Sequence, residues 1–294
     1  MLDFESKVIG KLRQIFVISR SRIIRALRKY GIHIIPIDGG LGSQIMQFAL
    51  YKWLRDNGKR VELDTSYFQH ELGKTVFNWV VQRSWQLGKF GHHMDSQNLG
   101  TGKRMRDVDF FSLYGKYFSE IIENKVFLNS LYPLSLEQLA QSSEKLGISL
   151  SELESSVIIH IRQGDYVTAA SLLLKEDYYF EALLKMQDHF YGKSKNIVIV
   201  SDEEIDLDRF PNIISRLKSR NKELKTIIGG EALDVHNLMR KSGGLICSNS
   251  TFSFSAAMLR GGNNCVYPSK FYNGETSALN QIFKLKSGIE VDIN

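Results

Sequence analysis

The sequence predicts an α/β protein of two domains, each built on a parallel sheet and preceded together by a basic amphipathic N-terminal helix. Three observations carry this expectation. The chain has 294 residues, of which 43% are hydrophobic, enough for two separate cores. Residues 32 to 64 read as strand, glycine loop, helix and strand. From residue 157 onward, apolar β-branched runs alternate with helical runs at the interval of a parallel sheet with crossover helices.

The net charge of +6 is concentrated in residues 1 to 32. That segment holds Lys7, Lys11, Arg13, Arg20, Arg22, Arg25, Arg28 and Lys29 against only Asp3 and Glu5. Beyond it, acidic and basic side chains balance. Val8, Ile9, Leu12, Ile15, Phe16, Ile23, Ile24 and Leu27 fall at helical spacing opposite the basic residues. Such a helix either lies on an anionic membrane surface or packs on the body with a solvated basic face. Nucleic acid is a poor fit, because no basic stripe with interleaved aromatics continues past residue 32. No run of about 18 apolar residues suggests a spanning helix, and no secretion signal is legible. Cys247 and Cys265 are the only cysteines, and neither has metal-ligand neighbours. A cytoplasmic protein, peripheral on the inner membrane face if the first helix touches lipid, is the expectation.

The first domain is placed at 33–155. Residues 32 to 37 are mostly β-branched and apolar, Gly39, Gly40 and Gly42 form a tight turn, and Ile45, Met46, Phe48, Ala49 and Trp53 follow at helical spacing. Asn57-Gly58 ends that helix, and Val61 to Asp64 is the next strand. A loop of this kind exposes backbone N–H groups to a phosphate or sugar, or simply lets a helix pack closely. Asp64, 22 residues beyond Gly42, stands where a nicotinamide-dinucleotide fold keeps its ribose acid. The fingerprint is incomplete, however, since the third glycine position falls on Ile45. Residues 65 to 155 resolve into aromatic clusters and a polar helical run, LSLEQLAQSSEKLGISLSELESS, leading to a boundary near 155. Asp107-Val108-Asp109 and Asp206-Leu207-Asp208 have the D-x-D spacing of some metal sites. Neither follows an apolar strand, so they read as solvated loop or helix-start acids.

The second domain, 156–294, has strands at 157 to 161, 196 to 200, 225 to 228, 244 to 247 and 264 to 267. Helical runs such as DYYFEALLKMQDHFYG and EALDVHNLMRKSG separate them. Ligands of such sheets bind at the carboxyl ends of the strands. Three polar sets fall there: His160 to Asp165, Ser201-Asp202, and Ser248-Asn249-Ser250-Thr251. The last set stands at a helix N-terminus, where ordinary capping by Ser250 or Ser248 competes with phosphate binding. Arg162, arriving at the same sheet edge, favours phosphate, because a guanidinium opposite a helix N-terminus is a natural diphosphate clamp.

GGLGSQIMQFA, HIRQGDYV, IVIVSDEE and SNSTFSFSAAML, in this order, resemble the four motif blocks of bacterial α-1,2-fucosyltransferases of glycosyltransferase family 11. The resemblance runs from residue 34 to about residue 272 and is weakest over 65 to 150, apart from YGKYF. It implies a GT-B-like architecture of two Rossmann-like domains facing a cleft. GDP-β-L-fucose would be the donor, with inversion at the anomeric carbon and no metal or other cofactor. The acceptor would be a galactose-containing glycan, such as a lipid-linked O-antigen unit. The second domain would hold the nucleotide and the first much of the acceptor.

Position by position, the resemblance places Arg162 at the β-phosphate and His160 near the nucleotide. It places Asp234 at the guanine edge and Ser250 and Thr251 at the phosphates, with Ser248, Asn249 and Phe252 in the same block. Gly39, Gly40, Gly42 and Gln44 form the first block. Two residues depart from the pattern: Gln163 stands for a second arginine, and Phe254 for a tryptophan. Asp165 is the candidate general base, with orientation of Arg162 or capping of a turn as its alternatives. Two other functions stay open on residues alone: a nicotinamide-dinucleotide enzyme using the glycine loop, and a non-catalytic glycan- or membrane-surface-binding protein.

Overall fold

The computed structural model describes residues 32–68, 83–93, 108–164, 173–190, 196–219, 224–271 and 283–292. The basic extension, Asp107 and Asp165 lie outside the described residues. The chain divides into two compact units, Met1–Phe110 and Phe111–Asn294.

In the first unit, β1 (Ile32–Pro36) and β2 (Arg60–Asp64) pair in parallel, with Ile34 opposite Glu62 and Pro36 opposite Asp64. Parallel neighbours need a crossover, and α1 (Leu41–Asp56) supplies it. Leu41, Ile45, Phe48, Ala49 and Leu50 bury its apolar side. The helix stops where the sequence predicts. Gly58 takes φ +72°, its N–H donates to Arg55 O at 3.0 Å, and Lys59 N–H donates to Leu54 O at 2.9 Å. These two bonds form a Schellman cap, which needs a left-handed residue that only glycine adopts cheaply.

The second unit begins with helices α2 (Val108–Glu123, most of it in this unit), α3 (Lys125–Leu131), α4 (Leu136–Lys145) and α5 (Leu150–Glu154). The polar run read as one helical stretch is in fact the pair α4 and α5, each opened by a capping box: Ser135 with Gln138, and Ser149 with Glu152. Both helices group with the second unit, so the division falls at 110 and not at the expected 155. The reason is tertiary. Ser142 and Lys145 of α4 bond Asp234, and Gly243 N–H donates to Leu153 O of α5.

The remaining elements alternate: β3 (Ser156–Ile161), α6 (Glu176–Phe190), β4 (Asn196–Ser201), α7 (Pro211–Ser219), β5 (Leu224–Ile228), α8 (Ala232–Lys241), β6 (Gly244–Ile246), α9 (Thr251–Leu259), β7 (Cys265–Pro268) and β8 (Ile289–Val291). All six strands run parallel in the spatial order β5-β4-β3-β6-β7-β8. The expected strands appear within about a residue. The sixth, β8, has three residues and offers too short a pattern to read in advance.

Within the unit the first strand is central, and the winding reverses between it and the fourth, the arrangement of a doubly wound sheet. All six residues of β3 are buried, as befits a strand covered on both faces. Val157, Ile159 and Ile161 share one core cluster with Tyr178, Tyr179, Leu183 and Met186 of α6 and Ile213 of α7. Alternation sends His160 to the other face. Cys247 and Cys265 are free and buried.

Candidate functional site

The strand order concentrates the polar residues. β3 and β6 are neighbours on either side of the winding reversal, and the crevice at their carboxyl ends is where doubly wound sheets bind ligands. His160 reaches toward the β6 side. Its Nδ1 lies 2.8 Å from Ser248 Oγ, and its ring centroid is 5.5 Å from that of Phe252. A second imidazole, His236 of α8, stands 5.5 Å from the same phenyl ring, with Nε2 2.9 Å from Ser255 Oγ. Ser255 donates its one proton to Phe252 O at 2.9 Å, so His236 Nε2 carries the proton of that contact.

Both histidines are neutral at physiological pH. Burial pushes His160 down to about 3, and the Arg162 charge adds to the effect. His236 is held well below the usual histidine range by burial, then by Arg240 and His160. The two imidazoles therefore serve as neutral hydrogen-bonding groups, and Arg162 brings positive charge beside them.

Arg162 stands just beyond β3 and turns toward β4. Its Nη1 is 2.6 Å from Oδ2 of Asp202, which stands just beyond β4, where Ile161 and Ser201 are register partners. Gln163 is buried, and its backbone N–H donates to Asp202 Oδ1 at 3.0 Å. Ser250 is the N-cap of α9, its Oγ accepting from Phe252 N at 3.3 Å. Capping leaves its hydroxyl proton to donate elsewhere. Asn249 is buried beside it, and Thr251 opens the helix half-buried. From below, Tyr178 of α6 holds the turn, its hydroxyl donating to Cys247 O at 2.5 Å.

Asp234, the expected guanine contact, faces elsewhere. Asp234 points at α4, accepting from Ser142 Oγ at 2.7 Å and Lys145 Nζ at 3.1 Å. Phe254 is wholly buried among aromatic rings, with Phe271 and Phe283 at 5.2 Å and Phe118 stacked at 6.0 Å. Asp206 and Asp208 are exposed, and Asp206 Oδ1 accepts from Asp208 N, as loop acids do. Asp109 lies in α2, and its side chain is outside the description. Among the described residues no three His, Cys, Asp or Glu side chains group as metal ligands.

In the first unit, Gly39 takes φ +73° and Gly40 caps α1 without a side-chain bond. Gly42 is buried in the first turn of the helix. Gln44 is fully buried and serves the loop itself: Nε2 donates to Gly39 O and Ser84 O, and Oε1 accepts from Gln86 N. Asp38 and Gln47 exchange two further bonds across the turn. Asp64 is buried at the end of β2, and its carbonyl accepts from Ile37 N.

The sequence profile of glycosyl transferase family 11 matches residues 113–286, more than half of the chain. The chain belongs to that family. The glycosyltransferase match spans most of the second unit, including β3, β4, β6 and α9. No curated protein matches the sequence. Among solved structures, ADP-heptose lipopolysaccharide heptosyltransferase II of E. coli is similar at 11% identity and a TM-score of 0.42, over 88% of this chain and 90% of that one. The E. coli heptosyltransferase WaaC with ADP is similar at 10% identity and a TM-score of 0.38, over 89% and 93%. Among the described residues no helix is long and apolar enough to cross a membrane.

Sequence reasoning did not select Asp202, Tyr178 or His236 for the site. Asp202 was visible as a polar residue at a strand end, and His236 shares a block with Asp234. Tyr178 carried no signal, since an aromatic early in an amphipathic helix reads as core.

Proposed function

We propose that this glycosyltransferase moves L-fucose from GDP-β-L-fucose to a sugar hydroxyl, with inversion and without a required metal. The acceptor position is the 2-hydroxyl of a terminal galactose, in a bacterial oligosaccharide or a lipid-linked unit such as an O-antigen precursor. The observation that carries the reading is the placement of Arg162 and neutral His160 at the end of β3, at the winding reversal, in a chain of family 11. In the reaction the acceptor oxygen bonds to the anomeric carbon as the bond from that carbon to the β-phosphate oxygen breaks. GDP leaves with that electron pair.

Arg162 opposes the charge that grows on the β-phosphate, the role a cation would otherwise fill. His160, Ser248, Asn249 and Phe252 line the nucleotide, and Ser250 and Thr251 address the phosphates from the start of α9. Asp234 takes the guanine edge in this reading, which requires it to exchange its present partners Ser142 and Lys145 for the base. Asp165 takes the acceptor proton. The second unit thus serves the donor, and the first, with the Gly39 to Gly42 loop, serves the acceptor in a GT-B architecture. The basic N-terminal extension rests on anionic lipid, and deleting residues 1–30 should weaken vesicle binding while leaving transfer to a soluble sugar intact.

A donor screen with GDP-, UDP- and CMP-sugars, with and without chelator, tests the reading. Transfer from GDP-fucose in the presence of chelator is the expected result. Arg162→Ala should raise the barrier by about 3 kcal/mol or more, as for other preorganised charge stabilisers. A folded Arg162→Ala variant transferring at the wild-type rate sinks the assignment.

A further inference from the structure

We propose that Asp202 is the positioning residue of the site, setting the guanidinium of Arg162 for a diphosphate; this rests on the reading of Arg162 as the phosphate contact. Three independent features of the β3 and β4 ends converge on its carboxylate. Oδ2 takes Arg162 Nη1 at 2.6 Å. Oδ1 takes the Gln163 backbone N–H at 3.0 Å, so the plane of the carboxylate is tied to the same loop whose arginine it holds. A Cβ on Gly164 would lie 2.3 Å from Oδ2 and 3.3 Å from Cγ. The residue after Gln163 must therefore lack a side chain if the carboxylate is to keep this seat.

The chemistry explains the need. A long arginine side chain at the mouth of a strand samples many rotamers, and ordering it on binding costs entropy that weakens the complex. Both side chains are largely sheltered, at 16% and 27% exposure, so the pair is screened less than a surface bridge. The guanidinium has five N–H donors in a rigid fork, and fixing one nitrogen on Asp202 fixes the direction of the whole plane. Asp202 touches neither donor nor acceptor in this scheme and acts through Arg162.

The test is calorimetric binding of two probes, GDP and guanosine, to the full chain and its variants. Asp202→Asn, which keeps the shape and the acceptor for Gln163 N–H, should weaken GDP by about ten- to a hundredfold, the worth of a charge-assisted contact or two. It should leave guanosine unchanged. In the Arg162→Ala background, Asp202→Asn should add no further loss of GDP affinity, because its whole effect passes through that arginine. Gly164→Ala keeps both charges but displaces the carboxylate, and should show the same selective loss for GDP. It also serves should Asp202→Asn lower the thermal midpoint too far to assay. Equal loss of GDP and guanosine, additive losses in the double variant, tighter GDP binding by Asp202→Asn, or wild-type affinity in both Asp202→Asn and Gly164→Ala overturns the proposal. If Arg162→Ala itself binds GDP as the wild type does, the phosphate reading fails and this one with it. If Arg162→Ala loses GDP while the other variants do not, only the positioning role fails.

Discussion

His160 Nδ1 and Ser248 Oγ, 88 residues apart in the chain, meet at 2.8 Å and tie the end of β3 to the turn after β6. The bond crosses the reversal of the winding, where the two strands are neighbours but their connections diverge. Without it, a buried imidazole nitrogen would have no partner.

Removing that partner should be costly. Ser248→Ala is expected to lower unfolding free energy by about 1–3 kcal/mol, the penalty of an orphaned buried polar group. Ser253→Ala, whose hydroxyl contacts are 3.4–3.5 Å long, should cost less than Ser248→Ala. Urea denaturation of the two variants checks the ranking, and a larger loss for Ser253→Ala contradicts it.

Stability should fall with acidity because of His160 and His236. Each takes a proton near 6.5 when unfolded but resists one when folded, His160 down to about 3. Below about pH 6.5 the unfolded chain therefore binds more protons than the native one. Each histidine then costs up to about 1.4 kcal/mol per pH unit until its folded value is reached. Denaturation at pH 7 and pH 5 should show a smaller acid loss in His160→Gln than in the wild type. Equal losses would mean that His160 titrates normally in the fold.

Phe254 belongs to the core. Phe254→Ala should destabilise by about 3–5 kcal/mol, since its ring is wholly buried against Phe118, Tyr267, Phe271 and Phe283. Phe254→Trp should cost about 1–3 kcal/mol by overpacking. Thermal unfolding measures both, and a tryptophan tolerated at no cost would show slack around the ring.

Gln44→Glu offers a test of opposite pH sign. The amide nitrogen faces two carbonyl oxygens, of Gly39 and Ser84, at 2.8 and 2.9 Å. A carboxylate there is buried and repelled, so the variant should lose about 3 kcal/mol or more at pH 7. Its carboxyl is then raised on folding, and the deficit relative to the wild type should shrink as pH falls toward 4, when a protonated acid can donate one bond. A deficit that does not change with pH would place the side chain in solvent.

Periodicity and turn chemistry made much of the protein legible. The helix α1 announced its end through Asn57-Gly58, and β3 announced its burial through Val157, Ile158 and Ile159, three apolar residues in a row. The alternation after residue 157 required a parallel sheet, because strands separated by helices have few other ways to pair. These are local properties, written within a turn or a strand of the residues that express them. Order in space is not local. That β3 lies between β4 and β6, so that His160 meets Ser248 while Arg162 meets Asp202, follows from how the helices pack on both faces of the sheet. The same packing drew α4 and α5 into the second unit and turned Asp234 toward Lys145. The residue types for a charged site could be named in the chain, but that Asp202 holds Arg162 was decided by contacts between strand ends 40 residues apart.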